Sequence, residues 1–266
     1  MNQKVDLEGI YQYWKENAIK YRQSPSASWS DEHMIHMEIA QLRKYITMGD
    51  KVLDVGCNNG YSTVRLAEGN NISIKGIDYV EELVNEAKLR LKEDGLRFGK
   101  GSIYFDMGNI MRLDEVDNAY DKLVVTRVLI NLGNWENQCA ALKECYRVLK
   151  PGGLLLLSEA VLQGWENVNR FRREWGMKDI AMPVFNQYLD QDKLLAYCGD
   201  FFDLELVNDF SSTYYIGTRI VKPLLAKLLG DESKVANPDM EINRFCAQLP
   251  SWGDYGIQRL FILKKR

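Results

Sequence analysis

The sequence predicts an α/β fold built on a seven-stranded, mostly parallel sheet with helices on both faces. Three observations carry this expectation. From Lys51 onward, short apolar strands alternate with helical stretches of ~10–15 residues, the rhythm of βαβ units. Turn residues separate helices from the strands that follow, as in Met48-Gly49-Asp50 and Pro151-Gly152-Gly153. The 266 residues, 46% hydrophobic and 27% charged, have the composition and length of one large globular core.

The elements follow in order. Residues 3–22 carry Tyr11, Tyr13, Trp14 and Tyr21 among charges and read as an amphipathic helix. A Ser/Pro-rich break at 24–28 separates it from a second helix, which starts near Ser30 and runs to about Thr47. Strands are expected at 51–55, 72–77, 102–105, 121–126, 154–158, 202–207 and 257–264. The intervening helices are placed at 60–68, 80–93, 135–149, 163–180 and 191–199. Residues 211–255 hold Pro, Gly and aromatics without a strict period. The expected organisation is an N-terminal helical lid over 1–47 and a core over 48–266, with ligand-side insertions at about 161–189 and 211–255. Parallel βαβ units place ligands at the carboxyl ends of the strands.

Composition excludes several classes. With 34 Lys+Arg against 37 Asp+Glu, the net charge of −3 argues against sequence-independent nucleic-acid binding. No apolar run approaches the ~18–20 residues of a membrane span, and the first six residues lack the apolar stretch of a signal peptide. Five scattered cysteines form no Cys-x-x-Cys, so neither a disulfide framework nor a metal site is expected, and the chain reads as cytoplasmic.

The chemistry concentrates in Val52-Leu53-Asp54-Val55-Gly56-Cys57-Asn58-Asn59-Gly60. A strand ends in a carboxylate, and a turn with two glycines then opens a helix. The triple-glycine spacing of a dinucleotide turn is missing, and Asp54 would repel a pyrophosphate. A cationic cofactor carrying an ammonium and a sulfonium would be attracted instead, and this points to S-adenosylmethionine. Asp78 ends the next strand 24 residues after Asp54. That is near the ~20 expected of an acid accepting ribose hydroxyls, and Asp78 also suits the N-cap of the following helix.

With these residues in view, the chain resembles the class I S-adenosylmethionine-dependent methyltransferases, whose fold is Rossmann-like. The resemblance covers roughly residues 48–160. It includes Gly108-Asn109-Ile110, Tyr120-Asp121-Lys122-Leu123-Val124-Val125 and Arg147-Val148-Leu149-Lys150-Pro151-Gly152-Gly153. It implies that Gly56, Cys57, Asn58 and Gly60 lie along the methionine moiety. Asp78, followed by Tyr79, would bind the ribose, Asn109 and Ile110 would flank the adenine, and Thr126 and Arg127 would lie near the methyl donor. The product would be S-adenosylhomocysteine. The chain departs from the pattern where Asn58-Asn59 replaces a frequent third glycine and where Asn109 replaces an acid. Cys57 also reads as a small filler, for lack of an activating partner. A narrower likeness, from residues 127–136 and 164–188, is to bacterial methyltransferases of surface-saccharide pathways. The rival readings are a non-catalytic cofactor-binding scaffold and a nicotinamide-dependent oxidoreductase on the same core.

Acceptor and catalytic residues are less sharply marked. Methyl transfer from an activated sulfonium needs alignment first and a base only when the proton is held tightly. Glu159 at the exit of the fifth strand suits a base, an acceptor contact or a helix cap. His33 and His36, three residues apart, suit a base or a surface pair. Asn169, Arg172, Asn186 and Tyr188 could hold a polar or anionic acceptor. So could Tyr214, Tyr215 and Arg219, although the arginines equally suit a solvated face and the tyrosines core packing. Tyr21 and Trp29 are expected to close over the cofactor, with Tyr11 and Trp14 packing. The partner is thus a polar small molecule, and a homodimer is left open.

Overall fold

The computed structural model describes residues 6–93 and 101–266. Seven strands form one sheet: β1 (Lys51–Val55), β2 (Ser73–Asp78), β3 (Ser102–Met107), β4 (Tyr120–Thr126), β5 (Leu149–Ala160), β6 (Phe202–Asn208) and β7 (Gln258–Lys265). Their spatial order is β3-β2-β1-β4-β5-β7-β6. β1 to β5 pair in parallel, whereas β7 lies antiparallel between β5 and β6. The centre is apolar: Val52, Leu53, Leu123, Val125, Leu155, Leu156 and Phe261 are buried, as a sheet covered on both faces requires. Strand order reverses at β1, so the ends of β1 and β4 flank the crevice where such folds bind ligands.

The helices around the sheet include α3 (Tyr61–Ala67), α4 (Glu81–Glu93), α5 (Trp135–Val148) and α7 (Gln191–Cys198). Asn134 caps α5 and Asp190 caps α7 through side-chain oxygens that accept N–H bonds. Several elements are bounded differently from expectation; the second helix, for one, ends at Leu42 rather than near Thr47. β5 begins at Leu149 because Leu149 already pairs with Tyr120 before the ladder shifts. The helix after β5, α6, spans Leu162–Glu174 rather than reaching 180, because Gly176 at φ 64° turns the chain back and Met177 donates to Arg172 O.

At the N-terminus, α1 (Leu7–Tyr21) and α2 (Glu32–Leu42) sit over the carboxyl edge; residues 3–5 of the expected first helix lie outside the described residues. Near the C-terminus, residues 212–248 form α8 (Ser212–Ile216), α9 (Lys222–Leu228), α10 (Ser233–Ala236) and α11 (Glu241–Gln248), with a π-helical stretch at 217–221 joining α8 to α9. No described helix is long and apolar enough to cross a membrane.

Candidate active site

The turn after β1 sets the geometry. Gly56 and Cys57 donate their N–H groups to Ile77 O at 2.8 and 3.0 Å, which folds the turn against the end of β2. Gly56 has φ 78°, and a Cβ there would run into the Val128 side chain. The same position therefore demands glycine for backbone and for space. Asn58 takes φ 53°, a left-handed conformation asparagine tolerates, and its N–H donates to Asp78 Oδ2 at 2.9 Å. Asp78 Oδ1 accepts from Val80 N at 3.0 Å, an Asx turn that leads the chain into α4.

Around this turn lies a cavity of about 310 Å³. Its core side is formed by Gly56, Asn58, Asp78, Tyr79, Asn109, Ile110, Thr126 and Arg127, all expected at a cofactor site from the sequence. A smaller chamber of about 20 Å³ adjoins it through Gly56, Asn58, Thr126 and Arg127, and is lined also by Asp54, Cys57 and Glu38. Asp54 is buried, with Oδ2 accepting from Thr63 Oγ1 at 2.6 Å. Burial pushes both Asp54 and Asp78 up to about pKa 6, since each carboxylate gives up water on folding. Two desolvated acids flanking a groove suit a ligand with positive charge and hydroxyl donors. That donor set fits the ammonium and ribose of S-adenosylmethionine. Asn109 Oδ1 accepts from Met111 N at 2.9 Å, and a carboxamide oxygen retains a second lone pair for an exocyclic amine.

Gly60, Tyr21 and Trp29 line neither cavity. Gly60, at φ 74°, lets the turn approach Phe105 and Ala87 too closely for a Cβ. Tyr21 packs with Ala18, Ala27, Val80 and Leu83, and Trp29 lies 5.1 Å beneath the Arg127 guanidinium. The lid wall is formed instead by Leu7, Glu8, Tyr11 and Trp14, together with Ser28. The helical spacing of 7, 11 and 14 could have marked this face in the sequence.

Two connections that sequence reasoning missed fasten the lid. Asn59, fully buried, donates from Nδ2 to Arg22 O at 2.7 Å and Ser24 O at 2.8 Å, and Arg90 donates to Gln23 O and Asn59 O. On α2, Glu38 is buried and ion-paired with Arg127. Ser158 Oγ donates to Glu38 Oε1 at 2.5 Å, and Gln258 Nε2 to the same oxygen at 3.0 Å. Arg127 Nη2 donates to Ser28 Oγ at 2.8 Å.

The acceptor and base candidates lie elsewhere. Glu159 is fully buried and outside both cavities. Its carboxylate accepts from Val128 N at 2.8 Å, Leu129 N at 2.7 Å and Ile130 N at 3.4 Å, capping the 3-10 turn Leu129–Asn131. The capping alternative therefore describes its place, although burial raises its pKa to about 8. His33 and His36 also lie outside the cavities, and His36 Nε2 meets Tyr61 Oη at 2.8 Å.

The seven polar acceptor candidates outside β5 likewise line neither cavity; nearby chain satisfies or packs most of them, whereas Asn186 Oδ1 is buried without a partner. Asn169 holds Ile180 through both N–H and C=O. Arg172 donates to Lys178 O at 2.7 Å and to Arg219 O. Tyr214 Oη donates to Asp31 Oδ1 at 2.7 Å, beside the Arg219–Asp31 ion pair at 3.1 Å. Tyr188 and Tyr215 pack against the core. Asn186 follows Phe185, whose ring stacks on Tyr13 at 4.2 Å.

Comparison with known proteins agrees with this geometry. Residues 46–194 match the family model described as a methyltransferase domain. Methyltransferase GfsG of Streptomyces halstedii is 29% identical over 45% of this chain and 41% of that protein. A demethylmenaquinone methyltransferase of Listeria welshimeri is 30% identical over 60% of this chain and 62% of that protein. The chain thus spans less than half of the first relative and about three fifths of the second. Among solved structures, the N-methyltransferase NodS of Bradyrhizobium japonicum, in complex with S-adenosylhomocysteine, aligns over 96% of this chain and 98% of that one. Its TM-score is 0.59 at 14% identity, a likeness of fold. A family match across more than half of the chain, on a sheet of this order and a turn of this shape, establishes that the protein belongs to the methyltransferase-domain family.

Proposed function

We propose that the protein transfers a methyl group from S-adenosylmethionine to an oxygen or nitrogen atom of a small-molecule acceptor held between α1 and the turn that follows β4. The observation that carries this reading is the continuity of the cavity. It runs from the acids and amides of the cofactor side to a wall of Leu7, Tyr11, Trp14, Val128 and Leu132. When bound, the cofactor supplies a methyl group already activated by its sulfonium.

The protein's part is to hold and to exclude water. Asp78 would bind ribose hydroxyls, Asn109 and Ile110 the adenine, and Asp54 the methionine ammonium. Arg127, fixed by Glu38 and Ser28, would stand beside the transfer site with Thr126. The outer wall offers Glu8 and Tyr11 as titratable groups, so alignment rather than a buried base supplies the rate. The apolar and aromatic wall favours an acceptor with a flat, apolar body over a saccharide, one of the polar acceptors compatible with the sequence.

The test is turnover. Purified protein with S-adenosylmethionine is offered hydroxylated and aminated aromatics alongside sugar phosphates, and S-adenosylhomocysteine is quantified. Product with the aromatics supports the reading; product with the sugar phosphates alone refutes the acceptor assignment. Failure to bind the cofactor refutes the whole.

A further inference from the structure

The outer end of the cavity has two walls, and one short segment of chain supports both. The first wall is α1, which contributes Leu7, Tyr11 and Trp14; the second is the turn after β4, which contributes Val128 and Leu132. Behind them runs the chain between α6 and α7. Its tip, Pro183-Val184-Phe185-Asn186, is a β-turn closed by Asn186 N, which donates to Pro183 O at 3.0 Å. Immediately after it, Gln187 N donates to Ile130 O at 2.7 Å. Buried Gln138 donates from Nε2 to Leu129 O at 3.0 Å and to Gln187 O at 3.2 Å. Leu189 then ties the segment to the end of β5, donating to Ala160 O and accepting from Leu162 N. The base of this strap and the turn after β4 are therefore joined into one body.

The tip of the strap reaches α1. The Phe185 ring stacks on Tyr13 with centroids 4.2 Å apart and meets Trp14 edge-on at 6.3 Å. Tyr13 and Trp14 themselves meet edge-on at 5.2 Å. Phe185 lies outside the cavity, whereas Trp14 lines it. Three mutually packed rings thus hold the indole from behind, each pair adding to the area it buries. At the other end of the wall, Leu7 lies beside Gly133, which follows the turn directly. Leu7 and Trp14 are seven residues apart, about 10 Å along a helix. The wall is therefore set against the turn at both of its ends, by Leu7 directly and by Phe185 through Trp14.

We infer that Phe185 is a positioning residue that selects acceptor size: acting through Trp14, it fixes the spacing between α1 and the turn after β4, and so the width of the slot for a flat aromatic acceptor. This rests on the acceptor reading proposed above. A slot of fixed width discriminates because an acceptor that matches it touches both walls. A looser slot forfeits contacts with a small body and admits a larger one, and dispersion falls off within an ångström of such a gap.

The experiment uses the full chain saturated with S-adenosylhomocysteine, with 2-naphthol and the larger 9-phenanthrol as probes in equilibrium dialysis. Phe185→Ala is expected to bind 2-naphthol about two- to tenfold more weakly, the worth of the lost ring contacts. Its binding of 9-phenanthrol holds or tightens, so the affinity ratio shifts toward the larger probe. Phe185→Tyr keeps the ring and restores the wild-type ratio. Affinity for S-adenosylhomocysteine stays equal in all three proteins. An unchanged ratio in Phe185→Ala overturns the assignment, as does a shifted ratio that Phe185→Tyr fails to restore. Loss of both probes together with S-adenosylhomocysteine marks Phe185 as a support of the fold alone and overturns it too. A wild type that binds S-adenosylhomocysteine but neither probe overturns the aromatic-acceptor reading, and this inference falls with it.

Discussion

Lowering the pH from about 7.5 to about 5 is expected to weaken S-adenosylmethionine binding roughly tenfold through Asp54 alone. Asp54 is buried at the inner chamber, and its pKa stands near 6 because burial outweighs the single hydrogen bond from Thr63. At pH 7.5 nearly all of it is ionised; one unit below its pKa only about a tenth is, so an affinity that requires the anion falls about tenfold. Asp78, also near 6, adds a second loss of up to similar size where its ribose bonds depend on charge. Stability of the ligand-free fold moves the opposite way. The folded pKa of each acid lies above its ordinary 3.8, so the fold takes up protons between pH ~4 and ~6, and these groups favour folding less as pH rises through that window. Isothermal titration across the pH range provides the assay, with Asp54→Asn as control: the variant binds weakly at every pH and its profile is flatter. An affinity that is constant from pH 7.5 to 5 in the wild type would refute the assignment of these acids to a cationic ligand.

Three further outcomes follow from the contacts. Glu159→Ala strips three N–H groups of their acceptor and is expected to cost about 2–4 kcal/mol in chemical denaturation; Glu159→Gln, which keeps one carbonyl acceptor, should cost less. Equal stability of all three proteins would contradict the capping role. Asn59→Ala releases Arg22 O and Ser24 O, and stopped-flow should show S-adenosylmethionine leaving faster by several-fold, with little change in the association rate. Arg172→Ala should lower the melting temperature by a few degrees while cofactor affinity holds, since its guanidinium ties loop carbonyls; a selective loss of acceptor binding would return it to the site.

The core side of the cavity was legible because its signals are local. Asp54, Gly56 and Asn58 sit within one strand-turn-helix, and the strand carrying Asp78 pairs beside β1, so chain order nearly determines their geometry. Glu38 gave no such signal. Its partners Arg127, Ser158 and Gln258 lie 89, 120 and 220 residues away, and only the folded sheet brings them to α2. The arginines and asparagines after β5 fall outside the cavities for the converse reason. A basic, amide-rich stretch reads as a ligand surface, yet an irregular loop exposes carbonyls and N–H groups that consume those side chains, as Ile180 does with Asn169. On α1 the aromatic content was plain, but which ring faces the cavity depends on where the helix crosses the sheet edge. That crossing places Trp14 over the crevice and Tyr21 beyond it.

The unequal fastening of the two lid helices bears on traffic through the site. α2 is bolted to the sheet by the Glu38 cluster and to the C-terminal helices by Asp31. Among the described residues, α1 carries no such buried polar cluster. It packs Ala18, with Tyr11, Trp14 and Tyr21, on the apolar start of α4, adds surface contacts such as Lys15–Glu82 and Tyr13–Phe185, and ends in the bend at Arg22, φ 45°. α1, which gives Leu7, Glu8, Tyr11 and Trp14 to the cavity wall, is expected to respond to ligand more than α2, the fixed jamb of the doorway. Amide exchange should slow along α1 when ligand fills the cavity and remain unchanged along α2.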